Sequence, residues 1–328
     1  MIRRTPRWSL TALLIGVLAL SACSSKDAVN AQPNKAGGGN GGYGYNIAVV
    51  THGGAGDTFW SIVKKGAEKA GSDLGVKVSY QSSGDPTTQS QLIDAAVNQK
   101  PDGLVVSMAN PQALKAAVQR AVAAGVPVIV INSGEGQWHE YGAQSYIGSD
   151  ETVAGRLVGT ELAKQGAKNV LCVIQEAGNV SLEQRCAGVK ATLGGTVSNL
   201  QVDNNNLPGA QSIIAAKLQS DKAIDGVVTV GAQVAPGAAT AITASNSSAK
   251  LVAFDATADV LKLIQEGKVL FSVDQQPYLQ GYLSVQMLTL FKSNLNILGG
   301  GQPVLTGPST ITKDNAETII KLAAAGTR

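Results

Sequence analysis

From Tyr45 onward one unit recurs in this chain: a short β-branched apolar run, a turn, then an amphipathic helix. That alternation leaves few folds open. The runs are Asn46-Ile-Ala-Val-Val-Thr51, Val76-Lys-Val-Ser-Tyr80, Gly103-Leu-Val-Val-Ser107 and Pro127-Val-Ile-Val-Ile131. Between them lie helical patterns such as Gln91-Leu-Ile-Asp-Ala-Ala-Val97 and Ala113-Leu-Lys-Ala-Ala-Val118. Two helices open with the same device, Asp85-Pro86 and Asn110-Pro111. A side-chain oxygen caps the first turn, and the N–H that proline lacks falls where no helical bond is needed. Apolar strands alternating with helices predict a parallel sheet covered on both faces, with right-handed crossovers.

The pattern then restarts. After Tyr146-Ile-Gly-Ser-Asp150 a long helix runs through Leu162, followed by strands near Val170–Ile174, Val197–Val202, Gly226–Val230 and Leu251–Phe254. A further strand, Val269–Val273, precedes a helix at Leu279–Phe291, and the tail holds Thr310-Ile-Thr312 and a last short helix. Two successive βα series predict an α/β fold of two similar doubly wound parallel-sheet lobes. Ligands of such sheets bind beyond the carboxyl ends of the strands, so two facing lobes place one small-molecule cleft between them.

Ahead of the repeats, Arg3, Arg4 and Arg7 precede an apolar run, Leu10–Leu20, and then Ser21-Ala22-Cys23. A run this short with these flanks reads as a secretory signal and not as a membrane span. The Leu20-Ser-Ala-Cys23 ending resembles the bacterial lipoprotein signal, which implies cleavage after residue 22 and lipidation of Cys23. Residues 23–44, with Lys35-Ala-Gly-Gly-Gly-Asn-Gly-Gly-Tyr43, are too poor in apolar side chains to bury a core and are expected to form a flexible linker.

Removing residues 1–22 takes away three arginines and no acid, so 26 basic residues become 23 against 23 acidic ones. A neutral domain has no electrostatic footprint for nucleic acid. The two histidines, His52 and His139, come without Cys-x-x-Cys or His-x-x-x-His spacing, so no metal site and no cofactor is expected. Gly53-Gly-Ala-Gly-Asp57 follows a strand and opens a helix. Phe59 stands where a dinucleotide fingerprint needs its third glycine, and no acid ends the second strand, so the nucleotide reading fails. With Cys23 lipidated, Cys172 and Cys186 remain in an oxidising compartment, which favours a disulfide between them over two buried thiols.

Residues 45–325 resemble a type I periplasmic binding protein, in the branch that feeds pentoses, hexoses and polyols such as ribose, inositol and xylitol to ABC importers. The carriers are Ala48-Val-Val-Thr51 leading into Asp57-Thr-Phe-Trp60 and Lys65-Gly-Ala67, then Lys100-Pro-Asp-Gly-Leu104 and Ala124-Gly-Val-Pro-Val-Ile-Val-Ile-Asn132. Tyr146-Ile-Gly-Ser-Asp150, Glu183-Gln-Arg185, Val252-Ala-Phe-Asp255 and Val273-Asp-Gln-Gln-Pro277 follow in the same order. The resemblance implies two lobes joined by a three-crossing hinge that close on a ligand. One lobe takes residues 45–149 plus 276–303, the other 150–275 plus 304–328.

It also implies where a sugar or polyol is held. Phe59 and Trp60 fall at the family's aromatic pair, although Phe59 also belongs to the helical core stripe Phe59, Val63, Ala67, Ala70, Leu74. Asp57 matches a polar residue that bonds hydroxyls and could equally be a helix cap. Asn132, Glu183, Arg185, Asp255 and Gln275 complete the expected set, Asp255 foremost. Asn132-Ser133 stands where the family often has Asp-Arg, Glu183 replaces an arginine of ribose binders, and Gly231 replaces a polar side chain. These departures argue against ribose itself. His52 reads as a hydroxyl donor or a turn residue, and Trp138-His139, before Tyr141, as a lid or plain surface.

The function expected is therefore a lipid-anchored, monomeric extracytoplasmic receptor, not an enzyme, that captures a monosaccharide or polyol and delivers it to an ABC permease. A signalling receptor of the same fold, for chemotaxis or a quorum signal, is the alternative.

Overall fold

The computed structural model describes residues 42–54 and 56–328. The expected signal peptide, Cys23 and all but the end of the expected linker lie outside the described residues. The end of the linker departs from expectation: the N–H groups of Tyr43 and Gly44 donate to the carbonyls of Leu74 and Gly75, at 3.0 and 2.9 Å. The chain is thus fixed from Tyr43, two residues earlier than its composition suggested.

Strands β1 (Asn46–Thr51), β2 (Lys77–Ser82), β3 (Gly103–Ser107), β4 (Val128–Ile131) and β5 (Ser145–Ser149) form one sheet with β11 (Val304–Gly307), in the order β11-β5-β4-β3-β1-β2. Strands β6 (Asn169–Ile174), β7 (Thr196–Gln201), β8 (Gly226–Thr229), β9 (Lys250–Phe254) and β10 (Ser272–Asp274) form the other with β12 (Ser309–Ile311), in the order β12-β10-β9-β8-β6-β7. All pairings are parallel except β10 with β12. The two orders are the same pattern twice. The central strands β3, β4 and β8 are buried along their whole length, as parallel strands covered on both faces must be, while edge strand β2 is largely exposed.

The chain passes between the sheets three times: after β5, after β10 and between β11 and β12. The third passage lies later than expected. β11 pairs with β5, so residues 304–307 belong to the first sheet and not, as a boundary at 303 required, to the second. Val304 and Leu305 carry too short a pattern to announce a sixth strand. The strand expected at Val269–Val273 shortens to Ser272–Asp274 for a similar reason, its first residues forming the turn that leads into the sheet.

Helices α1 (Thr58–Leu74) and α9 (Pro277–Asn294) cover one face of the first sheet, and α4 (Glu151–Lys164) and α5 (Val180–Leu193) one face of the second. Both pairs touch through glycine. A Cβ at Gly66 or Gly281 would lie 2.1 or 2.0 Å from the partner helix's backbone, and one at Gly155 or Gly188 at 2.1 or 2.5 Å. No side chain fits between those axes. The expected caps form: Asp85 accepts from the Thr88 N–H at 2.7 Å and Asn110 from that of Ala113 at 3.2 Å.

Cys172 on β6 and Cys186 on α5 are joined in a disulfide, 14 residues apart, which ties that helix to its sheet. Closing a loop of this size restricts the unfolded chain by about 3 kcal/mol. The double substitution Cys172→Ala/Cys186→Ala is expected to lower unfolding free energy by about that amount, measured by chemical denaturation. Added reductant should bring the unsubstituted protein to the same value.

Candidate functional site

Loops that leave the carboxyl ends of β1, β4, β6, β8, β9 and β10 meet at one cavity between the two lobes. His52 follows β1, Asn132 and Ser133 follow β4, Gln175 and Glu176 follow β6, Val230 follows β8, Asp255 follows β9 and Gln275 follows β10. Asp57, Phe59 and Trp60 come from the first turn of α1, Asn179, Ser181, Leu182 and Arg185 from the start of α5, and Gln233 from the turn after β8.

Asn132 and Asp255 occupy equivalent places in the two lobes, at the ends of β4 and β9. Both adopt left-handed backbone, φ +65° and +67°. Asn and Asp tolerate that region better than other side-chain-bearing residues. One carboxamide links them: Gln275 Oε1 accepts from Asn132 Nδ2 at 2.8 Å, and Gln275 Nε2 donates to Asp255 Oδ1 at 2.9 Å. Gln280 Nε2 donates to the same Oε1 at 3.1 Å, which fixes the carboxamide's orientation. Burial pushes the Asp255 carboxyl up to about 7, with Arg185 and Gln275 opposing that rise.

Arg185 is fully enclosed. Its Nε and Nη2 donate to Glu151 at 2.6 and 2.7 Å, its Nη1 donates to the Val230 carbonyl at 2.7 Å, and its guanidinium lies 4.4 Å from the Phe254 ring centre. Burial works against the charge, yet Glu151 holds Arg185 protonated. Two of its five N–H groups remain uncommitted by this count.

Three contacts cross between the lobes. Gln233 Nε2 donates to Asp57 Oδ2 at 3.1 Å, the Val180 N–H donates to the Ala109 carbonyl at 3.0 Å, and His52 Nε2 stands 3.9 Å from Glu176 Oε2. The described conformation is therefore closed. Burial drives the His52 ring down to about 3, so it is neutral, its Nδ1 sharing a 2.7 Å hydrogen bond with Ser107 Oγ. Burial raises the carboxyls of Asp57 and Glu176 above their ordinary values, and for Asp57 the charge of Glu176 adds to the rise.

Seven of the eight expected residues, Asp57, Phe59, Trp60, Asn132, Arg185, Asp255 and Gln275, line this cavity. Glu183 does not. It lies two residues before Arg185, roughly 200° around the helix, and is exposed on α5. Asp57 does serve as the α1 cap, through Oδ1 to the Phe59 N–H at 2.9 Å, while Oδ2 faces the other lobe. Phe59 and Trp60 are both buried and both part of the core cluster, their rings in edge contact at 5.1 Å. Trp138 is neither lid nor surface: it packs into the first lobe's core beside Tyr141, leaving His139 exposed.

Ser133, Gln175, Glu176, Asn179, Ser181, Leu182 and Gln233 were not foreseen. The gap left by Gly231 was a usable signal. A Cβ there would lie 2.1 Å from Gln175 Nε2 and 3.0 Å from Gln233 Oε1, so two glutamines fill the space that the glycine vacates.

Residues 47–292 match the family model described as a periplasmic binding protein domain. The chain belongs to this family. Membership places this binding protein outside the cytoplasm. A carbohydrate transporter from Acidothermus cellulolyticus, solved in complex with myo-inositol, superimposes with a TM-score of 0.85 at 43% identity, over 87% of this chain and 100% of that one. The ribose import binding protein of Haemophilus influenzae is 26% identical over 84% of this chain and 89% of its own length. The xylose/arabinose-binding protein of Sulfolobus acidocaldarius is 26% identical over 63% of this chain, a stretch that spans 56% of that relative. The last two relatives are binding proteins by name. Among the described residues no helix is long and apolar enough to cross a membrane, and no group of three or more His, Cys, Asp or Glu is placed to hold a metal ion.

Two outcomes follow from the buried charges. Glu151→Ala leaves Arg185 enclosed without its partner and is expected to cost about 3–5 kcal/mol of stability, read by denaturant unfolding. Asp255 has a folded-state value of about 7 against 3.8 for the free group, so the folded state binds its proton more tightly. Its contribution to stability is present at low pH and falls as pH rises through that window. Asp255→Asn is expected to flatten this part of the stability–pH curve of the ligand-free protein.

Proposed function

We propose that this protein captures one monosaccharide-sized sugar or polyol between its lobes and hands it to an ABC permease. The observation that carries the reading is the composition of the closed cavity. Two aromatic side chains, Phe59 and Trp60, line it together with planar polar groups on Asn132, Arg185, Asp255 and Gln275. Hydroxyl-rich ligands need both.

The mechanism is differential binding. A ligand that touches both lobes only when they are closed shifts the balance toward the closed form, by no more than its preference for that form. The permease then recognises closure. The lobes divide at residues 149–151, 274–277 and 307–309, where the three crossings lie. The protein acts as a monomer and performs no reaction. A leader cleaved before a lipidated Cys23 anchors it to the membrane, and Cys23→Ser is expected to release it into the soluble fraction. Unchanged membrane retention would show another mode of attachment.

A thermal-shift screen against pentoses, hexoses, inositols and linear polyols tests the central reading. A ligand at a hundredfold over its dissociation constant adds about 2.7 kcal/mol to the folded state, several degrees in melting temperature. The shift is expected to disappear in Asp255→Ala and to shrink in Gln233→Ala, which loses a bond across the closed cleft. No response to any of these ligands would turn attention to a non-carbohydrate signal molecule.

A further inference from the structure

The cavity is rich in acceptors and short of positive charge. Asp255 is buried at its back, and Asp57 and Glu176 stand half-buried on opposite lobes at its rim. Two basic side chains line it, Arg185 and His52. Arg185 is held by Glu151 in a two-bonded ion pair, and the remainder of its influence is divided between Asp255 and Glu176. His52, the group nearest Glu176 at 3.9 Å, is neutral because its ring is buried. Lys64, two turns along α1 from Asp57, turns to Glu68 at 3.7 Å and is not part of the wall. Among the described residues that line the cavity, Arg185 is the one charged base, set against the three carboxyl groups of Asp57, Glu176 and Asp255.

A second observation is independent of these acids. Gln175 is 5% exposed, lines the cavity, and its Oε1 is buried without a hydrogen-bond donor among the described residues. Gln233 Oε1, on the same wall, is in the same state. The Nε2 group of Gln233 is already spent on Asp57. Both amide oxygens call for donors on the ligand. A buried acceptor left unmatched costs about 1–3 kcal/mol. A polyhydroxylated ring can satisfy some of these oxygens, but a hydroxyl leaves the carboxylate charges unbalanced. An ammonium group donates three hydrogen bonds, accepts none, and supplies the missing charge.

We infer that this protein takes an amino-substituted sugar or cyclitol in preference to its neutral parent, with the ligand's ammonium seated at the rim between Asp57 and Glu176. The inference rests on the polyol reading given above and narrows it. Closure brings these two carboxylates toward each other across the cleft, and like charges oppose that approach. A cation between them reverses the sign of the interaction. The same group thus favours binding and closure together.

Calorimetric titration of the purified protein at pH 7 with matched pairs tests this: scyllo-inositol against 1-amino-1-deoxy-scyllo-inositol, and glucose against 2-amino-2-deoxyglucose. For the pair that binds, the amine is expected to be tighter by at least about tenfold. Glu176→Gln and Asp57→Asn should each reduce that ratio, lowering amine affinity more than the neutral partner's affinity. Equal or tighter binding of the neutral partner by the unsubstituted protein overturns the inference and leaves the polyol reading intact. If no member of either pair binds, and no other sugar or polyol does, it is the polyol reading that fails.

Discussion

The closed cleft is organised around the side-chain amide of Gln275. It sits where the chain crosses from one lobe to the other, and its two ends bind the two strand termini that mirror each other, Asn132 in one lobe and Asp255 in the other. Each end is asked for a different role, acceptor toward Asn132 and donor toward Asp255, and Gln280 fixes which end is which. A carboxamide is suited to this because it carries both functions in one rigid plane. The left-handed conformations at Asn132 and Asp255, costly for most residues, are held by bonds that meet in one place. Opening the lobes need not break this chain, because Gln275 belongs to the hinge itself.

Around that centre, each lobe solves the same packing problem in the same way. Two helices that both start on the cleft side lie against each other through glycines, Gly66 and Gly281 in one lobe, Gly155 and Gly188 in the other. Close axes have a chemical use in the second lobe. They bring Glu151, at the start of α4, within reach of Arg185 on α5, and the pair is sealed from water by the Phe254 ring. An arginine enclosed in this way cannot reorganise when a ligand arrives. Its remaining N–H groups are aimed before binding, so no ordering cost falls on the encounter.

Much of this was legible in the sequence, for identifiable reasons. The βα repeat gave both sheets, because strands buried on two faces have continuous apolar runs, and Asp85-Pro86 and Asn110-Pro111 gave helix starts from cap chemistry alone. Cleft residues that end such strands, Asn132 and Asp255, could be found because strand ends are where a doubly wound sheet binds. Glu183 could not be excluded in the same way: its direction depends on helix phase, and the phase of α5 is set by the disulfide and by glycine contacts with α4. The short strand β11 was hidden for another reason. Its place is fixed by β5, far away in sequence, and not by its own pattern. Gln175 and Gln233 were invisible because each fills a space defined by a missing side chain, that of Gly231.

The hydrogen bonds from Tyr43 and Gly44 to the end of α1 also determine where the chain enters the folded body. Helix α1 starts at the cleft, with Asp57 as its cap, and runs 17 residues to Leu74. At 1.5 Å per residue it carries that entry point about 25 Å from the cavity. Whatever holds the protein by its amino-terminal side therefore pulls on the back of the first lobe. Force or tethering applied there leaves the cleft unobstructed, and the second lobe, which is not part of that attachment, keeps its freedom to swing.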